Sequence, residues 1–219
     1  MATNAARRPI AAVATAAACA AALSLGLAGQ AAASAPVRSA AVASASAGAA
    51  TSAGTVSYAT WLADVSTATA PAQAYLQQRV AAASFSGKPA IVLDIDNTSL
   101  ASYFNPSSYP VPATPPVLAL AQYATAHGVK VFFVTGRPDL IDLVSKYNLT
   151  SVGYTVDGLY SRNPLQLLES LQSFKTAARK QIEADGYDVV ANVGNSASDL
   201  AGGYADATFK LPDYDGLLD

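Results

Sequence analysis

The stretch "AIVLDIDNTSL", residues 90–100, decides how the rest of the chain is read. Four apolar residues, Ala90 to Leu93, run directly into Asp94, and Asp96 follows after one intervening residue. A short apolar run without alternation, bounded by turn-forming residues, is the pattern of a strand buried on both faces. Two carboxylates this close repel each other, so they need a cation between them or a shared proton. A loop pair engaged in turn and capping hydrogen bonds is the plain alternative, and "DID" by itself does not decide between the two.

The same texture recurs along the chain. "VKVFFVT" (129–135), "DVVANV" (188–193) and the short "ATFKLP" (207–212) read as further strands. Helical spacing separates them. "SYATWLADVSTATAPAQAYLQQRVAAA" (57–83) carries Trp61, Leu62, Val65, Tyr75, Leu76 and Val80 at helical intervals, and an interruption is expected near Pro71. "PPVLALAQYATAHG" (115–128) has prolines at its start and Gly128 at its end. "RPDLIDLVSKYN" (137–148) and "LESLQSFKTAARKQIEADGY" (168–187) complete the helices. Buried strands alternating with helices predict a three-layer, Rossmann-like α/β fold with a parallel sheet. Ligands of such sheets bind beyond the carboxyl ends of the strands. "DIDNT", "TGR" (135–137) and "GNSASD" (194–199) each follow a predicted strand, so their side chains are expected to meet at one edge.

Composition narrows the chemistry. The 219 residues include 13 basic and 15 acidic side chains, with no basic stripe to serve a nucleic acid. Arg7 and Arg8, a long alanine-rich apolar run and the small-residue site "AAASA" (31–35) read as an export signal over residues 1–33. A membrane-spanning anchor and a lipoprotein signal at Cys19 are the competing readings. The alanine-heavy run weighs against the first, and "AAAC" lacks the large apolar residue expected before a lipidated cysteine. Removing Arg7 and Arg8 from the 13 basic residues leaves 11 against 15 acidic, a net of −4. Residues 34–54 are rich in Ala, Ser and Gly and read as a disordered linker before a domain over 55–219. Cys19, the only cysteine, would leave with the signal, and His127 is the only histidine. Thiolate, phosphohistidine and His-rich metal chemistries are therefore excluded, leaving carboxylates, hydroxyls and lysine.

Asp94, Asp96 and Thr98 follow the first strand, Thr135 the second, Lys175 lies on the helix before the third, and Asp199 follows that strand. With "GKPAIVLDIDNTSLASY", "VFFVTGRP", "FKTAARKQIEADGY" and "VANVGNSASDLAGG" in this order, the chain resembles the haloacid dehalogenase (HAD) superfamily of phosphohydrolases. It is most similar to subfamily IIIB, the branch holding bacterial secreted acid phosphatases and plant vegetative storage proteins.

The resemblance implies a secreted, Mg2+-dependent acid phosphatase acting on small phosphate monoesters. Asp94 would be the nucleophile and form an aspartyl-phosphate, and Asp96 would be the general acid and base. Thr135, Gly136 and Lys175 would hold the transferring phosphoryl group. Asp94, the Asp96 carbonyl, Asn195 and Asp199 would hold the metal ion. No membrane contact is expected after signal cleavage.

Plainer roles compete for several of these residues. Thr135 could cap the helix expected near Pro138, and Lys146 and Lys180 compete with Lys175. Arg137 could pair with an aspartate on its own helix, Asp139 or Asp142, with contact to substrate as the weaker alternative. His127 reads as a helix C-terminal residue without a catalytic role. Asn195 stands where many family members carry aspartate, and an amide oxygen without formal charge implies weaker metal binding. Residues 99–114 are expected to form a small cap, with Tyr103, Phe104 and Tyr109 either lining an entrance or simply packing. The alternatives to hydrolysis are a catalytically weak binding or storage protein, and a phosphotransferase using the same intermediate.

Overall fold

The computed structural model describes residues 56–218. The expected signal and linker lie outside the described residues. Helix α1 (Tyr58–Ala82) starts where the Ser57 side chain accepts the Thr60 N–H at 3.1 Å. It stops at Ala83, whose left-handed backbone turns the chain away. Trp61, Val65, Thr69, Ala72 and Leu76 form its buried stripe, at the spacing that keeps one helix face on the core. The expected break at Pro71 does not occur, because α1 runs through it unbroken. Pro71 and Thr67, whose carbonyl loses its partner, are both on the solvent face, where water can satisfy that carbonyl. An interior proline costs about 3 kcal/mol, and the buried stripe on either side of it offsets that cost.

Strand β1 (Lys88–Leu93) leads to helix α2 (Pro115–Ala126), strand β2 (Lys130–Pro138) and helix α3 (Asp142–Ser151). Strand β3 (Gly158–Arg162), helix α4 (Leu171–Ala184), strand β4 (Tyr187–Gly194), the short helix α5 (Ala197–Leu200) and strand β5 (Ala207–Lys210) complete the order. All five strands are parallel, in the order β3-β2-β1-β4-β5, which puts β1 at the centre. Consecutive β1 residues face opposite ways. Ile91 and Leu93 pack with α1 and α2 through Trp61, Leu76, Val117 and Leu120. Ala90 and Val92 pack with α4 through Phe174, Ala178 and Ile182. Burial on both faces is the physical reason that the strand shows no alternation.

Strand β3 is not expected from the sequence. Its residues are all half-buried at the sheet edge, so "GLYSR" carries no apolar run. The helix after β2 begins at Asp142 rather than near Pro138, behind a single 3-10 turn. His127 ends α2 as expected, stacked on Tyr123 with ring centroids 4.0 Å apart.

Residues 99–114 form a closed excursion. Its ends meet through Thr114 N–H to Ser99 O, at 2.9 Å, and Ala101 N–H to Pro112 O, at 3.0 Å. Asn148 on α3 pairs with both the N–H and the carbonyl of Val111, each at 2.8 Å. Phe104 packs against Trp61 and Tyr58, whereas Tyr109 is exposed and stacks on Tyr147.

Candidate active site

Register brings three strands together. Leu93 is opposite Phe133 on one side and Val193 on the other, so β1 and β4 end within a residue or two of Asp94 and β2 runs on past it to Pro138. Asp94 donates its N–H to Val193 O at 3.1 Å and is 6% exposed. Beyond it the backbone folds tightly. Ser99 and Leu100 donate to Ile95 O at 2.9 and 2.8 Å, and Asn97 adopts a left-handed conformation. Ser99 Oγ also donates to the Asp94 carbonyl at 2.6 Å.

Lys175, 4% exposed, reaches this edge from α4. Its Nζ donates to Asp94 Oδ1 at 2.7 Å and also to Asp199 Oδ1. A buried ammonium flanked by two carboxylates keeps its proton. Burial lowers its pKa, but the two aspartates more than offset this and the net shift is upward. Asp94 is affected differently. Burial pushes its carboxyl up to about 7, Lys175 pulls it down, and Asp199 adds to the rise. Burial, more than the neighbouring Asp199, outweighs the pull of Lys175 on this carboxyl.

Asp199 is fixed from several directions. Its Oδ2 accepts the Ser196 N–H at 2.8 Å, closing a reciprocal cap at the start of α5. Gly194 makes room for it, since a Cβ there would stand 2.3 Å from the Asp199 side chain. Asn195 is held just as firmly. Its amide oxygen accepts from Thr98 Oγ1 at 3.0 Å, and its amide nitrogen donates to Leu218 O at 3.1 Å. Asn97 Nδ2 donates to the same Leu218 carbonyl at 2.8 Å.

Asp96 turns to a different partner. Arg137 Nε and Nη2 donate to its two carboxylate oxygens at 2.8 and 2.7 Å, and Nη1 donates to Ser145 Oγ at 3.1 Å. Burial would raise the Asp96 pKa, but the Arg137 hydrogen bonds outweigh it and hold the carboxyl below its usual range. The expected pairing of Arg137 with Asp139 or Asp142 is therefore replaced by a pairing across neighbouring strands. Thr135 is buried within β2, which runs on through the TGR motif to Pro138 rather than ending before it; its Oγ1 accepts the Arg137 N–H at 3.2 Å, and Gly136 lies against Leu171.

Of the residues singled out in the sequence, the structure joins Asp94, Lys175 and Asp199 directly. Thr135, Gly136 and Asn195 sit on the adjoining strand ends, and Asp96 shares the edge with its carboxylate turned to Arg137. Among the described residues, no three His, Cys, Asp or Glu side chains are arranged to hold a metal ion. The donor set still fits a hard cation, because it is all oxygen. Two carboxylates, an amide oxygen and a backbone carbonyl would be the donors.

A parallel α/β sheet with an aspartate–lysine–aspartate cluster at its carboxyl edge defines the HAD class of fold. Solved structures agree. The Class C acid phosphatase from Bacillus anthracis matches with a TM-score of 0.54 and 22% identity over 67% of each chain. Its tungstate-bound form matches with a TM-score of 0.52 and 21% identity. The family model described as HAD superfamily, subfamily IIIB (Acid phosphatase) matches residues 14–217, and the chain belongs to that family. Two Glycine max proteins, the Stem 28 kDa and Stem 31 kDa glycoproteins, are each 35% identical over 105 residues, 46% of this chain. That stretch covers 41% and 36% of their lengths, so the chain spans less than half of the curated relatives it matches.

Proposed function

We propose that the chain is a secreted, Mg2+-dependent acid phosphatase that hydrolyses phosphate monoesters through an aspartyl-phosphate on Asp94. The observation that carries this reading is Lys175 bridging Asp94 and Asp199 at the carboxyl edge of the sheet. An Asp94 oxygen attacks phosphorus, and the bond from phosphorus to the leaving oxygen breaks. Thr135 Oγ1 and the Gly136 N–H, beside Lys175, bind the phosphoryl oxygens in a buried, preorganised setting. Asp96, aimed by Arg137, gives the leaving oxygen its proton. The incoming phosphate supplies the negative charge that lets Asp96 take up that proton first. In the second step Asp96 takes a proton from water, the water oxygen bonds to phosphorus, and the bond to Asp94 breaks. Mg2+ held by Asp94, the Asp96 carbonyl, Asn195 and Asp199 would offset the repulsion between carboxylate and phosphate.

Export is supported by the pattern of residues 1–33. Residues 99–114 are too short for a domain of their own and act as a small cap, which suits an open site and small substrates. The test is hydrolysis of p-nitrophenyl phosphate by the mature chain with Mg2+, with EDTA, and in Asp94→Asn. Activity that needs Mg2+ and disappears in Asp94→Asn is expected. Retained activity in that variant removes Asp94 as nucleophile.

A second reading, a catalytically weak binding or storage protein, is favoured by the uncharged Asn195 locked between Thr98 and Leu218. Phosphate binding without turnover would establish it. An alcohol in place of water in the second step would make the same intermediate serve phosphotransfer, and product analysis with added alcohol separates the two.

A further inference from the structure

Arg179 is among the largest side chains the fold buries completely, at 1% exposure. Arginine is rarely buried so fully without a partner of opposite charge. Among the described residues no carboxylate lies within ion-pair distance of it, and burial lowers its pKa. Its donors go instead to one strip of backbone. Nε donates to Gly203 O at 2.9 Å, Nη1 to Asp199 O at 2.5 Å, and Nη2 to Ala201 O. Two neighbours add to this grip. Asn192 Nδ2 donates to the same Asp199 carbonyl at 2.8 Å, and Thr176 Oγ1 donates to Ala201 O at 3.1 Å. Gly202, with φ +91°, lets the strip curl around the guanidinium, where a Cβ would collide with Thr176. Lys175 and Arg179 are four residues apart on α4 and therefore share a face. Lys175 holds the Asp199 carboxylate and Arg179 holds the Asp199 main chain.

We propose that Arg179 is a positioning residue for the active site, setting the Asp199 carboxylate by fastening the carbonyls of Asp199, Ala201 and Gly203. In what it means for catalysis, this rests on the phosphatase reading above. A planar guanidinium with donors in a fixed fork can satisfy three carbonyls at once. A lysine at this position offers one point charge and cannot hold the same three.

The test compares the wild-type mature chain with Arg179→Lys. Two readouts are taken: amide hydrogen exchange over residues 196–203, and kcat and KM for p-nitrophenyl phosphate. In Arg179→Lys, exchange over 196–203 should rise while β1 and β4 stay protected. The kcat should fall about 10- to 100-fold, the usual loss when a partner that orients a site ligand is removed, with KM changing far less. Wild-type exchange and kcat in the variant overturn the proposal. So does faster exchange across the whole domain, which would make Arg179 a stability residue only. If wild type itself neither hydrolyses the ester nor responds to Mg2+, the phosphatase reading fails and loop exchange alone decides the positioning role. If Arg179→Lys does not fold, Asn192→Leu, which removes the other donor to the Asp199 carbonyl, is measured in the same two ways.

Discussion

Arg137 grips both carboxylate oxygens of Asp96, at 2.7 and 2.8 Å, from 41 residues further along the chain. The pair links the exits of β1 and β2, and the Asp96 side chain remains 43% exposed toward the site. With that much solvent screening, the pair contributes direction more than stability. In Arg137→Ala, kcat should fall by about 10- to 100-fold with little loss of fold, because misplacing a reacting group by an ångström costs that much. Arg137→Lys should not recover the loss, since an ammonium cannot hold two oxygens in a fixed plane. Steady-state kinetics beside a thermal melt measure both effects.

Lys175 is the buried partner of two carboxylates. Lys175→Met leaves Asp94 and Asp199 facing each other without it. Breaking a buried pair by removing one partner costs about 3–5 kcal/mol. The variant should lose stability of that order in urea at pH 8, and the loss should shrink at pH 5, where the Asp94 carboxyl, raised to about 7, is protonated. Unfolding midpoints at the two pH values check this.

Asn195→Asp should change two quantities in opposite directions. The new carboxylate adds charge to the donor set, so Mg2+ should bind about 10-fold tighter or more, the scale of effect typical of changed groups around a metal. It also loses the amide donor that now meets Leu218 O and sets an anion against that carbonyl. The variant should therefore melt below wild type in EDTA and gain more on adding Mg2+. Equal Mg2+ affinity by calorimetry would count against Asn195 as a donor.

At the opposite end of the sheet, Glu183, Asp188 and Asp206 surround a shallow hollow with Ser86 and Gly87. Burial raises the Glu183 pKa, the two aspartates raise it further, and Arg179 works against them. A carboxyl raised in the folded state contributes stability below its unfolded pKa and loses it as pH rises through the folded value. Glu183→Gln should therefore match wild type near pH 4 and become the more stable of the two toward pH 7. Urea unfolding across that range reads the crossover.

Much of this site was legible because its parts have local signatures. A wholly apolar strand ending in aspartate marks Asp94, and the polar helix before the third buried strand carries Lys175. What was hidden depends on groups far apart in sequence or without side-chain identity. Arg137 has aspartates two and five residues away, and nothing local shows that the sheet brings Asp96 closer. Arg179 is held by backbone carbonyls, which every residue carries. Strand β3 is half-buried at an edge and lacks the apolar run that marks the central strands. Pro71 misleads because the rule against interior prolines ignores which face of the helix it occupies.

The Leu218 carbonyl receives both Asn97 and Asn195. One backbone oxygen, on the last described residue, therefore ties together the turn after Asp94 and the turn that carries Asn195. Leu218 is itself part of the core over the sheet, 1% exposed and clustered with Ile91, Leu93 and Val193. Cutting the chain before Leu218 would remove that shared anchor and a buried core side chain together, so the two turns would loosen as the domain itself lost stability.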